Sequence, residues 1–116
     1  MIAALPGVPS SRLGESPLWH PAEQVLYWCD IPGHGLNRFN PRSGVHTRWP
    51  FDTDVACCAP LMEGGLLLAL RSGLVRFDTA TGKSKPLLEK PPYDPKTERF
   101  NDGKADAQGR LWVGTI

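Results

Sequence analysis

The chain has 116 residues, enough for one domain with a modest core. Its 13 Lys and Arg residues nearly balance 12 Asp and Glu residues, and they form no basic stripe of the kind a nucleic-acid binder carries. The longest aliphatic run, Leu66–Leu70, is far below the roughly 20 residues of a membrane span, and the N-terminus lacks the features of a secretory signal. We therefore expect a cytoplasmic protein that binds neither nucleic acid nor membrane.

Short strands separated by turns account for most of the sequence, which contains 12 Gly and 12 Pro residues. In chain order, the alternation of apolar and polar residues predicts strands at 14–19, 25–30, 36–40, 45–49, 55–61, 66–70, 74–78, 84–88, 100–107 and 109–116. Helical periodicity is scarce. The sequence predicts an all-β protein.

An internal repeat relates the two halves of this strand series. Arg38-Phe-Asn40 matches Arg76-Phe-Asp78, and Gly44 matches Gly82, with an offset of 38 residues in both cases. This spacing is close to the roughly 40–45 residues of a four-stranded propeller blade. The repeat therefore predicts a β-propeller of which this chain supplies about two and a half blades.

Closed propellers have about 4–8 blades, so we expect residues 1–116 to be the N-terminal part of a single longer propeller domain. A self-contained β-sandwich of about seven strands is the alternative on strand count. The repeat argues against it, since a sandwich requires no internal similarity.

Glu15 is the first candidate for a functional side chain, since it opens an innermost strand, between Gly14 and Ser16. Pro17 is expected to hold Ser16 in an extended conformation. The ends of innermost strands line a propeller's central channel, where a carboxylate can bind a hard divalent cation. The alternative is a solvated loop acid.

A second polar group begins the strand at residue 100. In an extended run, Arg99 and Asn101 point to one side, while Phe100 and Asp102 point to the other. A guanidinium beside an amide suits a ligand rich in carbonyl and hydroxyl oxygens. Because Asn-Asp-Gly also favours turns, an ordinary polar turn is the alternative.

Two other residue types have simpler interpretations. Free, buried side chains are expected for the three cysteines, Cys29, Cys57 and Cys58. Packing between blades is expected for the four tryptophans, Trp19, Trp28, Trp49 and Trp112.

Several of these stretches resemble the gluconolactonase family, which includes senescence marker protein (regucalcin) and luciferin-regenerating enzyme. The resemblance runs from about Leu13 onward, and it rests on Gly14-Glu-Ser-Pro17 with Trp19, Leu26-Tyr-Trp-Cys-Asp-Ile31, Arg38-Phe-Asn40, Arg99-Phe-Asn-Asp-Gly-Lys-Ala-Asp106, Gly109-Arg110 and Gly114-Thr115. It implies a six-bladed propeller that hydrolyses a sugar lactone with one divalent cation, whether calcium, zinc, manganese or magnesium.

The resemblance also implies roles for individual residues. Glu15 matches the family's first metal ligand, and Arg99 and Asn101 match residues that contact the substrate. The remaining metal ligands, an Asn and an Asp that is also the proposed general base, are expected beyond residue 116. No catalytic residue is therefore assigned within the chain, and the isolated chain is expected to be inactive. A non-catalytic calcium- or ligand-binding propeller is one alternative, and a short product that does not fold stably is another.

Overall fold

The computed structural model describes residues 2–116, and their regular secondary structure consists of ten β-strands in three antiparallel sheets. The strands are β1 (Gly14–His20), β2 (Val25–Asp30), β3 (Gly35–Asn40), β4 (Val45–Pro50), β5 (Val55–Pro60), β6 (Leu66–Leu70), β7 (Gly73–Asp78), β8 (Lys83–Leu88), β9 (Phe100–Ala105) and β10 (Leu111–Thr115).

Each sheet follows the chain without crossovers. The first has the order β1-β2-β3-β4, the second has the order β5-β6-β7-β8, and the third pairs β9 with β10. Two four-stranded meanders and a two-stranded one are the predicted two and a half blades. Three successive sheets also exclude the two-sheet sandwich, so the all-β propeller prediction is confirmed.

The sequence repeat is reproduced in the hydrogen bonds of the turns that follow β3 and β7. Asn40 Oδ1 accepts the backbone N–H two residues further on at 2.9 Å, and Asp78 Oδ1 does the same at 2.8 Å. Each turn closes on a glycine with left-handed φ, 74° at Gly44 and 73° at Gly82, whose N–H donates to the carbonyl of Asn40 or Asp78. Glycine adopts this conformation without steric cost, which explains why the repeat retains it.

The strands β1, β5 and β9, which begin the three sheets, contact one another. They are therefore the innermost strands of their blades. Apolar side chains fill the space between successive sheets, and β5 is buried along nearly its whole length. A strand covered on both faces has a continuous apolar sequence, as Val-Ala-Cys-Cys-Ala illustrates.

Two apolar cores separate the blades. The core between the first and second sheets contains Val25, Tyr27, Cys29, Leu36, Val55, Cys58, Leu66, Leu68, Leu70 and Phe77. The core between the second and third sheets contains Ala56, Cys57, Ala69 and Phe100, with Leu74, Tyr93 and Val113 packed against it. All three cysteines are free and buried, as predicted.

The tryptophans only partly follow the prediction. Trp49 packs edge-on against Phe77 of the second sheet, with ring centroids 5.6 Å apart, so it does lie between blades. Trp19 and Trp112, however, are 46% and 63% exposed. Among residues 2–116 the prediction is not met for these two, because neither side chain belongs to either apolar core.

No helix in the part of the chain that the structure describes is long and apolar enough to cross a membrane.

Candidate functional site at the innermost strands

Glu15 lies at the start of β1, beside an irregularity in the pairing with β2. The register shifts between Glu15 and Leu18, and Ser16 has a φ of 51°. The expectation that Pro17 would hold Ser16 extended is therefore wrong. A non-glycine residue in this left-handed region carries backbone strain, which surrounding interactions have to offset.

The interaction that offsets the strain is a hydrogen bond from Ser16 to the third sheet. Ser16 is 7% exposed, and its hydroxyl donates to Asp102 Oδ1 at 2.6 Å. The bond joins residues 86 positions apart, on strands that belong to different sheets. Glu15 and Asn101 immediately precede the bonded residues. The Ser16–Asp102 bond thus connects the two strands that carry Glu15 and Asn101.

Arg99 and Asn101 lie side by side at the start of β9. Arg99 Nη1 donates to Asn101 Oδ1 at 3.1 Å and to the Phe100 carbonyl at 2.9 Å, so the two side chains do share one side of the chain. Asn101 and Asp102 lie within β9, so the alternative of an ordinary turn at this position is wrong, although the pairing with β10 shifts register between Val113 and Thr115, opposite these two residues. Both side chains are half-buried. A guanidinium has five N–H donors, and these contacts involve only Nη1, which leaves donors for a ligand.

The backbone around these two residues is held on both sides. Arg99 and Ile116 exchange two backbone hydrogen bonds of 2.9 Å. On the other side, the Tyr93 hydroxyl accepts the Phe100 N–H at 3.1 Å and donates to the Arg71 carbonyl at 2.8 Å. Burial raises the pKa of Tyr93, which keeps the hydroxyl protonated and able to donate at neutral pH.

Arg71 extends this support to the first blade. Its guanidinium donates to Asp54 Oδ2 at 2.9 Å and to the Pro95 carbonyl at 2.6 Å, and Asp54 Oδ1 lies 3.1 Å from His34 Nε2. Sequence reasoning missed Tyr93, Arg71 and Asp54. These residues come from connections between different strands, and no local spacing reveals that they meet.

A cavity lies alongside the Ser16–Asp102 bond, between the three innermost strands. Its volume is about 370 Å³, and residues 16–19, 58–60 and 102–105 line it. Equivalent stretches of β1, β5 and β9 therefore surround one space. Glu15 borders a separate and largely apolar cavity of about 350 Å³, which it shares with Trp28 and Leu5.

The metal implied by the resemblance requires more ligands than these residues provide. Among residues 2–116, no group of three or more His, Cys, Asp or Glu side chains is placed to hold a metal ion. Glu15 is a half-buried carboxylate, which suits a hard cation, but protein sites for such ions normally use three or more ligands. Glu15 can therefore serve as one ligand, and the described residues do not form a metal centre by themselves.

The successive antiparallel meanders, whose first strands gather around a shared space, define a β-propeller. Residues 13–116 match the family described as "SMP-30/Gluconolactonase/LRE-like region". The chain therefore belongs to this family, which confirms the resemblance.

Individual relatives agree with this assignment. The chain is 41% identical over 106 residues to 6-deoxy-6-sulfogluconolactonase from Pseudomonas putida, with 91% of this chain and 36% of that protein covered. It is 39% identical over 111 residues to a pentonolactonase from Haloferax volcanii, with 92% and 35% covered. Regucalcin from Agrobacterium tumefaciens, whose structure is described as that of a calcium-binding protein, matches with a TM-score of 0.82 and 30% identity over 91% of this chain and 36% of that one. The chain thus spans 35–36% of the length of these relatives.

Proposed function

We propose that the complete protein, meaning a propeller to which residues 1–116 contribute the N-terminal blades, hydrolyses a sugar lactone to the aldonic acid. Water adds to the lactone carbonyl carbon, the ring C–O bond breaks, and the ring oxygen takes up a proton. The observation that carries the proposal is the hydrogen-bonded Arg99–Asn101 pair at the start of β9, in a chain 41% identical to a lactonase. Six blades are proposed for the closed propeller.

Arg99 and Asn101 are proposed to orient the substrate. Arg99 stays protonated and Asn101 does not titrate, so neither can act as a general base at neutral pH. Their donors suit the carbonyl and hydroxyl oxygens of a neutral sugar lactone, and holding such a substrate in place can account for a large part of a rate enhancement. The general base is proposed to lie beyond residue 116.

Glu15 is proposed to be one ligand of a single divalent cation, which could be calcium, zinc, manganese or magnesium. When bound, such a cation polarises a carbonyl and lowers the pKa of a bound water. The description of the Agrobacterium regucalcin as calcium-binding supports a cation. Because Glu15 is the one ligand proposed among residues 1–116, the other ligands have to come from later blades.

The same description favours a second candidate, a propeller that binds calcium or another ligand without catalysis. The two candidates differ in one measurable respect. A lactonase opens sugar lactones with turnover, whereas a binding protein leaves them intact at any metal concentration.

The decisive experiment compares Arg99→Ala and Asn101→Ala with the complete wild-type protein on a panel of sugar lactones. Each variant loses substrate hydrogen bonds worth about 1–3 kcal/mol, so kcat/KM is expected to fall roughly ten- to hundredfold. Metal affinity and the pH profile should not change, because neither residue binds the cation or transfers a proton.

Arg110→Ala is the matched control. Arg110 also immediately precedes a strand of the third sheet, but it bonds to Asp106 and lies 63% exposed. It should retain wild-type kcat/KM. If the wild-type protein hydrolyses no sugar lactone, the lactonase proposal is refuted and the binding-protein candidate is favoured. Unchanged kinetics in both site variants would refute the roles of Arg99 and Asn101.

A further inference from the structure

Among residues 2–116, the hydrogen bond between Ser16 and Asp102 is the one side-chain bond that joins an innermost strand to the innermost strand of another sheet. It links β1 to β9 directly, although β5 and the rest of the second sheet lie between them in the chain. Asp102 Oδ1 also accepts the Gly103 N–H at 2.9 Å, so the same oxygen ties the serine to the backbone of β9.

The Ser16 backbone is strained in the conformation that makes this bond, and a chance contact would not stabilise such strain. Ser16 adopts a φ of 51° next to a proline, and its side chain is almost fully withdrawn from solvent. A strained, buried residue of this kind persists only where its surroundings determine its conformation. A hydrogen bond to a charged acceptor is stronger than one between neutral groups, and it can offset such strain.

The bond also lies next to both proposed halves of the site. Glu15 precedes Ser16 on β1, and Asn101 precedes Asp102 on β9, with each pair joined by a single peptide unit. Any shift of β1 relative to β9 therefore moves Glu15 relative to Asn101. Because the two strands share no backbone pairing, this side-chain bond is their direct connection at this level.

We propose that Ser16 and Asp102 are positioning residues, whose hydrogen bond fixes the separation between Glu15 and the Arg99–Asn101 pair. This inference rests on the proposed function for the identity of the site, but not for the mechanical coupling of the strands. Neither residue touches the substrate in this role. Through its bond to Asp102, Ser16 holds the Glu15 end of β1 in a fixed position relative to β9.

The first test measures the coupling without reference to activity, by hydrogen–deuterium exchange of residues 99–105 in the complete protein. Ser16→Ala changes β1, yet exchange in β9 is expected to become about fivefold faster. The reason is that losing one hydrogen bond lowers the free energy of local opening of β9. Asp102→Ala should have the same effect. Asp102→Asn, which keeps an acceptor oxygen, should remain within about twofold of the wild type.

Ser11→Ala is the matched control. Its hydroxyl accepts the Trp28 indole N–H at 3.2 Å, so the substitution removes a serine hydrogen bond next to the first sheet without touching β9. Exchange of residues 99–105 should be unaffected. If Ser16→Ala also leaves that exchange unaffected, the proposal is wrong.

The second test separates positioning from general destabilisation, by lactone kinetics at temperatures well below melting. A displaced Asn101 should raise KM about tenfold in Ser16→Ala and Asp102→Ala, with rescue in Asp102→Asn, whereas partial unfolding would lower apparent kcat and leave KM unchanged. Faster exchange with wild-type KM would overturn the positioning role. If the wild-type protein opens no lactone, the proposed function fails, and the exchange result alone decides whether the bond couples the strands.

Discussion

Tyr93 fixes the backbone of Phe100, through a 3.1 Å hydrogen bond from the Phe100 N–H to the tyrosine hydroxyl. Phe100 lies between Arg99 and Asn101, and its ring packs edge-on against that of Tyr93 with centroids 5.1 Å apart. One side chain of the connection between β8 and β9 thus holds the peptide that carries both proposed substrate-binding residues.

Tyr93→Phe should therefore impair substrate binding more than its modest chemical change suggests. The variant loses the acceptor for Phe100 and the donor to the Arg71 carbonyl, two bonds worth about 1 kcal/mol each. We expect KM for the lactone to rise several-fold, and the urea midpoint to fall. Tyr27→Phe is the control. It removes another buried tyrosine hydroxyl, which bonds to Glu23 away from the site, so it should alter stability but not KM. Equal KM in the two variants would contradict the role of Tyr93.

Gly103→Ala should push β9 away from β5. A Cβ at this position would lie 2.7 Å from Cys57 Sγ, closer than real Cβ contacts, and a tight 3.0 Å from the Trp112 carbonyl oxygen. Overpacking of this kind typically costs about 1–3 kcal/mol, which denaturant unfolding would measure. Adding Cys57→Ala removes the thiol from the contact, and should restore part of the loss.

The control for this prediction is Gly114→Ala on β10. Among the residues that the structure describes, a Cβ there would meet only the Asp102 carbonyl oxygen at 3.9 Å, an ordinary contact. Its unfolding free energy should stay near that of the wild type. If Gly103→Ala were equally harmless, the close packing of β9 on Cys57 would be refuted.

Stability should decline in alkaline solution because of the buried thiols. Burial raises the pKa of Cys57 from 9.0 to about 12, and the charges of neighbouring Cys58 and Asp102 act in the same direction. The folded state therefore binds this proton more tightly than the unfolded state does. The resulting stability is fully present below pH 9.0, and it is lost as the pH rises toward about 12.

Urea midpoints at about pH 7 and about pH 10.5 would test this dependence. The urea midpoint of Cys57→Ala should fall less between these two pH values than that of the wild type does. The difference between the two midpoints at neutral pH corrects for the effect of the substitution itself. Tyr27, whose pKa burial raises to about 12, contributes a decline in both. An identical decline in the two proteins would show that Cys57 does not contribute.

Glu15→Gln in the complete protein should abolish tight binding of a divalent cation. The amide keeps the shape of the side chain but removes the negative charge, and hard cations bind carboxylates in preference to amides. Calorimetry would measure the affinity. Glu63→Gln, at a side chain 83% exposed on the second blade, is the control and should bind as the wild type does. Full affinity in Glu15→Gln would refute the ligand assignment.

The fold was predictable because its determinants are local. The pairs Arg38/Arg76 and Gly44/Gly82 mark equivalent turns, and each turn is built from hydrogen bonds within a few residues. Alternating apolar residues then specify which strand faces are buried. The strand bounds differ from the prediction by at most a few residues. The main differences are in the third sheet, where the predicted strands 100–107 and 109–116 are longer than the observed Phe100–Ala105 and Leu111–Thr115.

The site was only partly predictable, because its connections are not local. The shared side of Arg99 and Asn101 follows from strand geometry alone, and was anticipated. The conformation of Ser16 was not, since a partner 86 residues away outweighs the preference that Pro17 imposes. The support from Tyr93 likewise depends on how loops of separate sheets pack. The role of Glu15 as a ligand stays a prediction.

The middle sheet has a consequence for how such a site can change. Glu15 on β1 and Arg99 beside β9 lie on either side of it, so the thickness of its packed layers, together with the Ser16–Asp102 bond, sets the gap between them. The innermost strand of that sheet carries small side chains, Ala56, Cys57 and Ala59, and β9 approaches it closely. The second blade therefore separates the other two, and the volume of the side chains packed in it helps to determine the width of the channel. Enlarging a side chain there is expected to widen the opening for bulkier rings while leaving the proposed substrate-binding residues unaltered.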